Sequence, residues 1–473
     1  MGRSCGALGG CARVAALTGW AIVCRGSTAV TSINASPTKE FFIDIITRDI
    51  SLLDAVKDLV DNCVDGARAL RPKGDYKGLS VEIEVSKDHF LIVDNCGGIP
   101  VRVAAEYAFR FGRAKGAPSV EGSIGQFGVG MKRALFKMGE VFEVRSTASD
   151  SHFLLTVDVE QWKGLKDADG RDLWTFEFDE AVEGEKNPPE NCGTTLQVTS
   201  LHPSISADFG SEVFKNALVS GLQEAHARSM DSGLDIKVNA FALRHRIAEL
   251  LSGEGLKPIR MEWTFPQDAK SGISAPVKLT LYAGVSDSNY DEAGWYIVCN
   301  GRQIVRADKT SLTGWAGVVD GITTPKAHQQ FSRFRGYAIF ESDDASALPW
   351  NTQKSGIDLD SRVYQWALQE MIRALRQVID FLNALDAERD TDSTFLRTLL
   401  SKAKSVSLSA VEKSNTFQVA ENKAHVEPAE PTVRIQFSRS VSDVEFAKQF
   451  FKVSSAGKAG ESAFDYFMVR ESD

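Results

Sequence analysis

The sequence predicts a mixed α/β protein with two consecutive α/β regions, a linker and a small C-terminal element. Segments with the alternating polarity of strands are interspersed with segments of helical periodicity along most of the chain. A length of 473 residues exceeds what one core usually holds, so we expect more than one domain. Hydrophobic residues at 43% and charged residues at 25% are ordinary proportions for a globular protein.

Charge and cysteine usage narrow the class further. A net charge of −9 argues against a protein coated in basic surface, although a local basic groove stays open. The seven cysteines are irregularly spaced, with no C-x-x-C pair and no Cys/His spacing typical of zinc, which favours free thiols in a reducing cytoplasm. No apolar stretch approaches the roughly 18 residues of a membrane span. We therefore expect a cytoplasmic protein.

Residues 1–34 are expected to form an unstructured leader. Their apolar stretch at 15–23 loosely fits a signal peptide, but Arg13 interrupts its approach and Arg25 follows it closely. We interpret the leader as the product of an upstream start, with the native protein beginning near Val30.

Residues 35–205 form the first predicted region. The segment ISLLDAVKDLVDNCVDGARAL (50–70) has helical periodicity. LSVEIEV (79–85) and HFLIV (89–93) are strand candidates joined by the turn SKDH. Further strand patterns follow between about 150 and 200.

Residues 206–385 form the second predicted region. It contains the strand candidates LDIKVNAFAL, VKLTLYAGV and GWYIVCNGRQIV, and an amphipathic helix at 362–385. We expect a helix end and linker at 386–432, since this part is rich in Ser, Glu, Lys and Pro. Residues 433–473 then form a small C-terminal element with one strand and one helix.

The helix at 50–70 carries a polar stripe. Asp58, Asn62 and Asp65 fall on one face, and Asp54 and Asp61 lie beside them. A solvated face of an amphipathic helix would explain this pattern. However, like charges along one stripe repel each other, which favours a bound cation such as a hydrated magnesium ion.

The strand FLIVDNCGGIP (90–100) ends in a second candidate motif. Asp94 follows the apolar run, so its carboxylate can accept a hydrogen bond from an amino group of a ligand. The glycines that follow allow close approach of the backbone. A plain turn is the alternative, because Asp-Asn and Gly-Gly are common in turns.

The third motif is the glycine-rich loop GSIGQFGVGMKRALFKMG (122–139). It is not a Walker A loop, because Met131 stands where that motif needs lysine. It is not a Rossmann fingerprint either, since Arg133 replaces the third glycine and no strand precedes it. A mobile loop (112–124) that ends in glycines and opens a helix remains. Backbone N–H groups at such a helix start can bind anions.

Together these motifs resemble the GHKL ATPase superfamily, which includes type II topoisomerase ATPase subunits, large heat-shock chaperones, MutL-type repair proteins, MORC proteins and histidine kinases. DLVDNCVDGA resembles the E-x-x-x-N-x-x-D helix, VDNCGGIP the D-x-G-x-G strand end, and GQFGVGMKRA the glycine box of the lid. CGTTLQVTSL (192–201) resembles the late G-T strand. The resemblance implies a Bergerat-type α/β sandwich over about 35–205, followed by a ribosomal-protein-like α/β transducer domain and a small C-terminal extension.

The resemblance also implies ATP and Mg²⁺ as cofactors, and it assigns site residues. Asp58 stands where the catalytic glutamate polarises the attacking water, and Lys354 in NTQKSGID (351–358) resembles the lysine that reaches the γ-phosphate. Asn62 would coordinate Mg²⁺, and Asp94 would accept the adenine amino group with support from Thr194. The other implied nucleotide-binding residues are Asp65, Gly98, Gly125, Gln126, Phe127, Gly128, Val129, Gly130 and Lys132.

Two departures from the family pattern and two alternative interpretations qualify these assignments. Asp58 is one methylene shorter than glutamate, and Cys96 replaces the first glycine of D-x-G-x-G. For Lys132, a solvent-facing helix position is an equally good interpretation. For Lys354, the alternative is an ordinary surface-loop lysine.

The predicted function is an ATP-hydrolysing switch of stand-alone bacterial or MORC-like type, which dimerises through its N-terminal domains and clamps DNA or a client protein. Alternatives are a nucleotide-binding scaffold with little turnover and a chaperone-like remodelling ATPase. A histidine kinase is disfavoured, because no histidine precedes His89 and kinases lack the transducer. Lys326, Arg333 and Arg335 could contact DNA, although a solvated basic loop also explains them.

Overall fold

The computed structural model describes residues 35–112, 120–125, 128–245, 247–268, 270, 272–390, 393–420 and 435–471. The chain divides into two compact units, one ending at Val419 and one beginning at Ala420. The predicted leader, most of the predicted mobile loop, and the candidate residues Gln126 and Phe127 lie outside the described residues. The described residues of the larger unit form two large sheets, three two-stranded sheets and packed helices, which confirms the predicted mixed α/β class.

The first sheet has eight strands in the order β5-β4-β3-β6-β2-β1-β7-β8. Neighbouring strands are antiparallel except for β1 and β7, which are parallel. In β1, Val81, Ile83 and Val85 are buried while the glutamates between them are exposed, as expected for a half-buried strand. The strands are β1 Ser80–Val85, β2 Phe90–Asp94, β3 Gly139–Ala148, β4 Ser151–Asp158, β5 Glu180–Glu183, β6 Gly193–Leu201, β7 Asp235–Val238 and β8 Phe241–Ala242.

Helix α2 is the element that positions most of the candidate site. Its cap is Ser51, whose Oγ accepts the Asp54 N–H at 3.0 Å. Its apolar face packs into the core and against α4. The helices of this region are α1 Lys39–Arg48, α2 Leu52–Leu70, α3 Val101–Val103, α4 Gly130–Met138, α5 Val159–Gly164, α6 Pro203–Phe209, α7 Glu212–Ala225 and α8 Ala227–Asp231.

The second sheet has five strands in the order β11-β12-β17-β13-β14. Only β13 and β17 run parallel, and the long helix α9 packs against β12 and β17. Three two-stranded sheets and one further α-helix complete the described part of this region. Its elements are β9 Glu249–Ser252, β10 Leu256–Lys257, β11 Ile259–Phe265, β12 Val277–Val285, β13 Gly294–Cys299, β14 Arg302–Asp308, β15 Val318–Val319, β16 Ile322–Thr323, β17 Phe334–Glu341, α9 Arg362–Ala387, α10 Phe395–Lys402, β18 Lys404–Ser407 and β19 Gln418–Val419.

The turn between β13 and β14 brings the second region to the first. Asn300 and Gly301 both have positive φ, 47° and 81°, as the two central residues of a tight hairpin turn require. The turn therefore places Asn300 and Arg302 at the end of the hairpin, next to α2.

Strand pairings connect segments on either side of two predicted domain boundaries. The sheet of the first region includes strands beyond residue 205, because β7 pairs in parallel with β1 and β8 pairs with β7. Within the predicted linker at 386–432, β18 pairs with β9 and β19 pairs with β10. In both cases the pairing partner is more than 140 residues away, so local composition carries no sign of it.

The C-terminal unit contains two helices, α11 Val441–Phe451 and α12 Ala456–Glu471. The sequence predicts α11 but not α12. Residues 435–440 form no strand, contrary to the prediction. Phe450 and Tyr466 join the two helices with ring centroids 6.0 Å apart. Within the part of the chain that the structure describes, no helix is both long and apolar enough to cross a bilayer.

Candidate active site

A pocket opens between α2, the end of β2, β6 and the start of α4. Its walls are mostly apolar, and three polar side chains face it: Asn62, Asp94 and Thr194. The described residues that line it are Leu59, Asn62, Cys63, Gly66, Ile92, Asp94, Cys96, Gly98, Ile99, Met131, Thr194 and Leu196. We call the side around Asp94, Cys63 and Thr194 the Asp94 end.

Asp94 is the last residue of β2 and lies opposite Thr194 of β6 in the sheet register. Its Oδ1 accepts the Cys96 N–H at 2.8 Å, and its Oδ2 accepts the Cys63 thiol at 3.4 Å. Burial raises the pKa of Asp94, although these hydrogen bonds act in the opposite direction. These hydrogen bonds hold the carboxylate in place, and no cation pairs with it among the residues that the structure describes. Each oxygen has a further lone pair for a ligand.

The turn after Asp94 needs its glycines for the backbone of the protein itself. Gly98 has φ +70°, and a Cβ there would lie 2.0 Å from the Thr147 carbonyl oxygen. On β6, a Cβ at Gly193 would lie 2.0 Å from the Asp94 carbonyl oxygen. Position 96, where the family pattern has glycine, does not require one, because the residue with positive φ (+102°) is Gly97 and not Cys96.

A hydroxyl pair holds the pocket loop against β6. Thr194 Oγ1 lies 2.9 Å from Ser146 Oγ, which also accepts the Ile99 N–H at 2.7 Å. Thr194 therefore lines the pocket and also holds Ser146, the residue that binds the backbone at Ile99.

The other end of the site is a cluster of buried charges, which we call the Asp58 end. It comprises Asp58, Asp61, Arg133, Arg302 and Lys354. Asp58 is 2% exposed. Its Oδ2 accepts a hydrogen bond from Arg133 Nη2, and its Oδ1 lies 3.5 Å from Lys354 Nζ. The structure thus brings the two predicted catalytic residues, Asp58 and Lys354, together.

Asp61 is fully buried and pairs with two cations. Arg302 Nη1 donates to its Oδ1 at 2.6 Å, and Lys354 Nζ donates to its Oδ2 at 2.9 Å. Burial raises the pKa of Asp61, but Arg302 and Lys354 outweigh this effect and lower it to about 2. The carboxylate is therefore ionised across the whole physiological range.

His226 completes the charged cluster as a neutral ring. Burial, together with the nearby Arg302, lowers its pKa to about 3. Its Nε2 lies 3.3 Å from Arg302 Nη1 and is the acceptor when the ring is neutral. Its Nδ1 is buried and has no partner among the described residues.

Asn62 is the one predicted metal ligand, and it is exposed at the pocket wall. Among the described residues, no group of three or more His, Cys, Asp or Glu side chains could hold a metal ion. Mg²⁺ commonly keeps several waters and binds through one or two protein oxygens plus the phosphates of its nucleotide. A single amide oxygen beside the pocket fits an ion that arrives with a nucleotide.

Asp65 anchors the end of the predicted mobile loop instead of facing the pocket. Its two carboxylate oxygens accept the N–H groups of Ile124 and Gly125, both at 2.7 Å. Burial raises the pKa of Asp65, against these two hydrogen bonds. Arg68, one turn later on α2, donates to the Gly122 carbonyl.

Asn300 ties the same loop to the second region. Its Nδ2 donates to the carbonyls of Ser123 and Ser342, both at 2.9 Å. Its own carbonyl accepts Arg68 Nη2 at 3.0 Å. One turn of the second sheet thus contacts both α2 and the base of the loop.

The glycine box leads into α4 directly above Asp58. Gly128 has φ +63°, Val129 is the cap of α4, and Gly130 is its first residue. A Cβ at Gly130 would lie 3.3 Å from Asp58 Oδ2. The described glycines of this box do not line the pocket, whereas Met131, the residue after Gly130, does.

Lys132 neither lines the pocket nor faces solvent, the two positions that the sequence suggests. Its side chain is 1% exposed, and Nζ donates to the Ala108 carbonyl at 2.6 Å. Burial lowers its pKa to about 7. The solvent-facing interpretation is therefore wrong, and the structure does not bring Lys132 to the pocket. A signal was present, since Leu135 and Phe136 follow at spacings of three and four and are both buried.

The predicted basic surface does not form as a cluster. Arg335 is 3% exposed and donates to the backbone carbonyls of Ser332 and Phe334, so a DNA contact by Arg335 is wrong. Arg333 donates to the Ser286 carbonyl at 3.1 Å, while Lys326 is exposed.

No sequence motif assigns a role to five residues that the structure places in the site: Asp61, Arg133, Arg302, His226 and Cys63. The Asn-Gly dipeptide before Arg302 signalled a hairpin turn, but not its partner on α2. Asp61 lies beside the polar stripe, so it resembled a solvated carboxylate. The segments around Arg133 and His226 contain no pattern that indicates a contact with α2.

The family model described as "Histidine kinase-, DNA gyrase B-, and HSP90-like ATPase" matches residues 50–186. Among curated proteins, no significant match to the chain was found. The matched residues contain Asp58, Asn62, Asp94 and the glycine box, whereas Thr194 and Lys354 lie beyond the match. Over residues 50–186 the chain therefore carries an ATPase domain of the GHKL superfamily.

Proposed function

We propose that this protein binds ATP together with Mg²⁺, hydrolyses it, and uses the cycle to drive N-terminal dimerisation and a clamp-like change. The main support outside the matched ATPase domain is the position of one lysine. Lys354 Nζ, from the second α/β region, lies 3.5 Å from Asp58 Oδ1 and 2.9 Å from Asp61 Oδ2. The second region thus contributes a cation where hydrolysis needs one, as a transducer would.

The residues divide the work between recognition and chemistry. Asp94 accepts the amino group of adenine with support from Thr194, and Gly98 lets the base approach. Asp58 polarises the attacking water, and Lys354 neutralises charge on the terminal phosphate. Asn62 holds Mg²⁺, which when bound neutralises the phosphates.

The contacts around the glycine loop support coupling between the two regions. Asp65 holds the loop backbone at 124–125, and Asn300 holds it at Ser123. A nucleotide that reorders this loop therefore acts on both α2 and the β13–β14 turn. We propose that the signal reaches the second region along this path.

A specific observation favours a second candidate, a nucleotide-binding scaffold with little turnover. Asp58 is shorter than the glutamate of the family, and both of its oxygens have cations beside them. A carboxylate in that state is a poor partner for water unless a cation leaves.

Steady-state ATP turnover and nucleotide affinity of wild type, Asp58→Ala and Lys354→Ala decide between the two. For the enzyme, we expect both variants to lose turnover by about a hundredfold or more, while Asp58→Ala still binds nucleotide. Glu82→Gln, an exposed change on β1, is the control. Turnover in Asp58→Ala equal to that of wild type would reject the catalytic role and leave the scaffold.

Light scattering with a non-hydrolysable ATP analogue and with ADP tests the dimer, which should form with the analogue alone.

A further inference from the structure

Two cations meet at the Asp58 carboxylate, and the proposed function uses only Lys354. The second is Arg133, from the first turn of α4, which contacts Asp58 Oδ2 through Nη2. The Arg133 side chain is 12% exposed. Its Nε is buried and has no hydrogen-bond partner among the described residues. Arg133 therefore carries an unused donor inside the site.

The position of Asp58 along α2 indicates what this end of the site binds. Cys63, Asn62 and Leu59 line the pocket in order from Asp94 toward the start of the helix. Asp58 is the next residue in that direction. A nucleotide with its base at Asp94 that follows α2 extends its phosphates toward Asp58, and so toward Arg133 and Lys354.

We propose that the terminal phosphate of ATP takes Arg133 over from Asp58, so that Arg133 is a second phosphate-binding cation beside Lys354. This assignment rests on the proposed function. Without nucleotide, Asp58 keeps both cations paired, which avoids the cost of an unpaired charge in a buried site. Guanidinium binds phosphate through paired N–H groups as it binds carboxylate, and the free Nε of Arg133 supplies one of them.

The exchange has two consequences. ADP lacks the terminal phosphate, so Arg133 distinguishes ATP from ADP. Asp58 competes with the phosphate for Arg133, so it weakens ATP binding by its charge. Release from Arg133 and Lys354 also leaves Asp58 free to act on water once ATP is bound.

The test is calorimetric binding of ADP and of a non-hydrolysable ATP analogue to wild type, Arg133→Gln, Arg133→Lys and Asp58→Asn. Arg133→Gln should weaken the analogue by about tenfold or more, the usual size of a charge-assisted contact, and change ADP by less than about twofold. Arg133→Lys should recover part of the loss. Asp58→Asn should strengthen the analogue and not ADP, and this gain should vanish in the double variant with Arg133→Gln.

Arg145→Gln removes an exposed arginine of the same domain and is the matched control. Thermal unfolding of each variant checks its fold, and if Arg133→Gln does not fold, Arg133→Lys and Asp58→Asn decide the question. Equal losses for analogue and ADP, or unchanged analogue affinity with lost turnover only, would overturn the assignment and make Arg133 a positioning residue for Asp58. A wild type that binds neither nucleotide would overturn the proposed function as well.

Discussion

The two ends of the candidate site, the Asp94 end and the Asp58 end, are built on different physical principles. At the Asp94 end, backbone N–H groups, a thiol and hydroxyls hold the polar atoms, and all of them come from residues 63–194. At the Asp58 end, two carboxylates and three cations pair with one another across both α/β regions. The first arrangement is preformed and uncompensated by charge. The second balances its charges internally and can exchange partners when a new anion arrives.

This difference implies different responses to mutation. Removing one member of a buried charge network leaves its partners unpaired, which costs more than the pair contributed. Replacing Asp94, whose carboxylate is buried and held by hydrogen bonds, instead removes the free-energy cost of burying its charge. The Asp58 end should therefore govern the free energy of unfolding, and the Asp94 end should govern ligand choice.

Among the charge substitutions, Asp61→Asn should have the largest effect on stability. Asp61 is fully buried and pairs with Arg302 and Lys354, so its loss should lower the free energy of unfolding by about 3–5 kcal/mol. Urea unfolding at pH 7 measures the loss. Glu160→Gln, which breaks an exposed pair with Lys163, is the control and should cost at most about 1 kcal/mol.

The pH dependence of the same variant gives an independent check. The pKa of Asp61 is lowered from 3.8 to about 2 in the folded state, so its contribution is present above pH 3.8 and is lost as the pH falls through 2. The difference between wild type and Asp61→Asn should therefore narrow only in that acidic window. A loss below about 1 kcal/mol at pH 7 would contradict the picture of a balanced charge network.

Gly98→Ala tests whether the Asp94 end is fixed by its own backbone. Gly98 and Gly170 have similar φ values, +70° and +77°, but only at Gly98 would a Cβ meet another atom, 2.0 Å away at the Thr147 carbonyl. Strain from φ should cost both variants about 1–3 kcal/mol, and the clash should cost Gly98→Ala about 2 kcal/mol more. Urea unfolding of the two variants measures the difference. Equal losses would show that the turn can shift.

The sequence predicted the Asp94 end better than the Asp58 end, for a physical reason. Asp94 and its glycines form one contiguous motif, and β2 ends where the apolar run ends. The ion pairs of Asp61 join residues 241 and 293 positions apart, and no local periodicity records such a pairing. The resemblance of its loop to a family motif predicts that Lys354 reaches the γ-phosphate. It does not predict the ion pair of Lys354 with Asp61.

The fold shows the same division. Strands β1 and β2 agree with their patterns within one residue, because adjacent strands are joined by a short turn. The sequence places the β7 segment in the second region, whereas the structure pairs β7 with β1 of the first sheet, across a long crossover that local patterns do not record. Where contacts are local the sequence predicts the structure, and where they span the chain it does not.

Asp94→Asn should separate ligand choice from stability. We expect the affinity for adenine nucleotides to fall by about tenfold or more, because an amide in this place offers one acceptor oxygen instead of two. Burial raises the pKa of Asp94, so the charged form is costly in the folded state above that pKa. The variant should therefore unfold at the same or a higher urea concentration at pH 7. A large loss of stability would show that Asp94 supports the fold in the way Asp61 does.

Lys132→Met should have the smallest effect and a distinct pH dependence. Lys132 is buried and has no ion pair within the described part of the chain, so it belongs neither to the Asp94 end nor to the paired charges of the Asp58 end. Its pKa falls from 10.5 to about 7 in the folded state, so the unfolded chain binds more protons between these values and wild-type stability rises with pH across that window. The variant should gain about 1 kcal/mol over wild type below pH 7, since the lost hydrogen bond to Ala108 offsets part of the relief. That advantage should shrink or reverse by pH 10, and urea unfolding of both proteins at pH 6.5 and 10 measures it. A difference independent of pH would mean that the Lys132 ammonium stays charged and is stabilised by the Ala108 carbonyl alone.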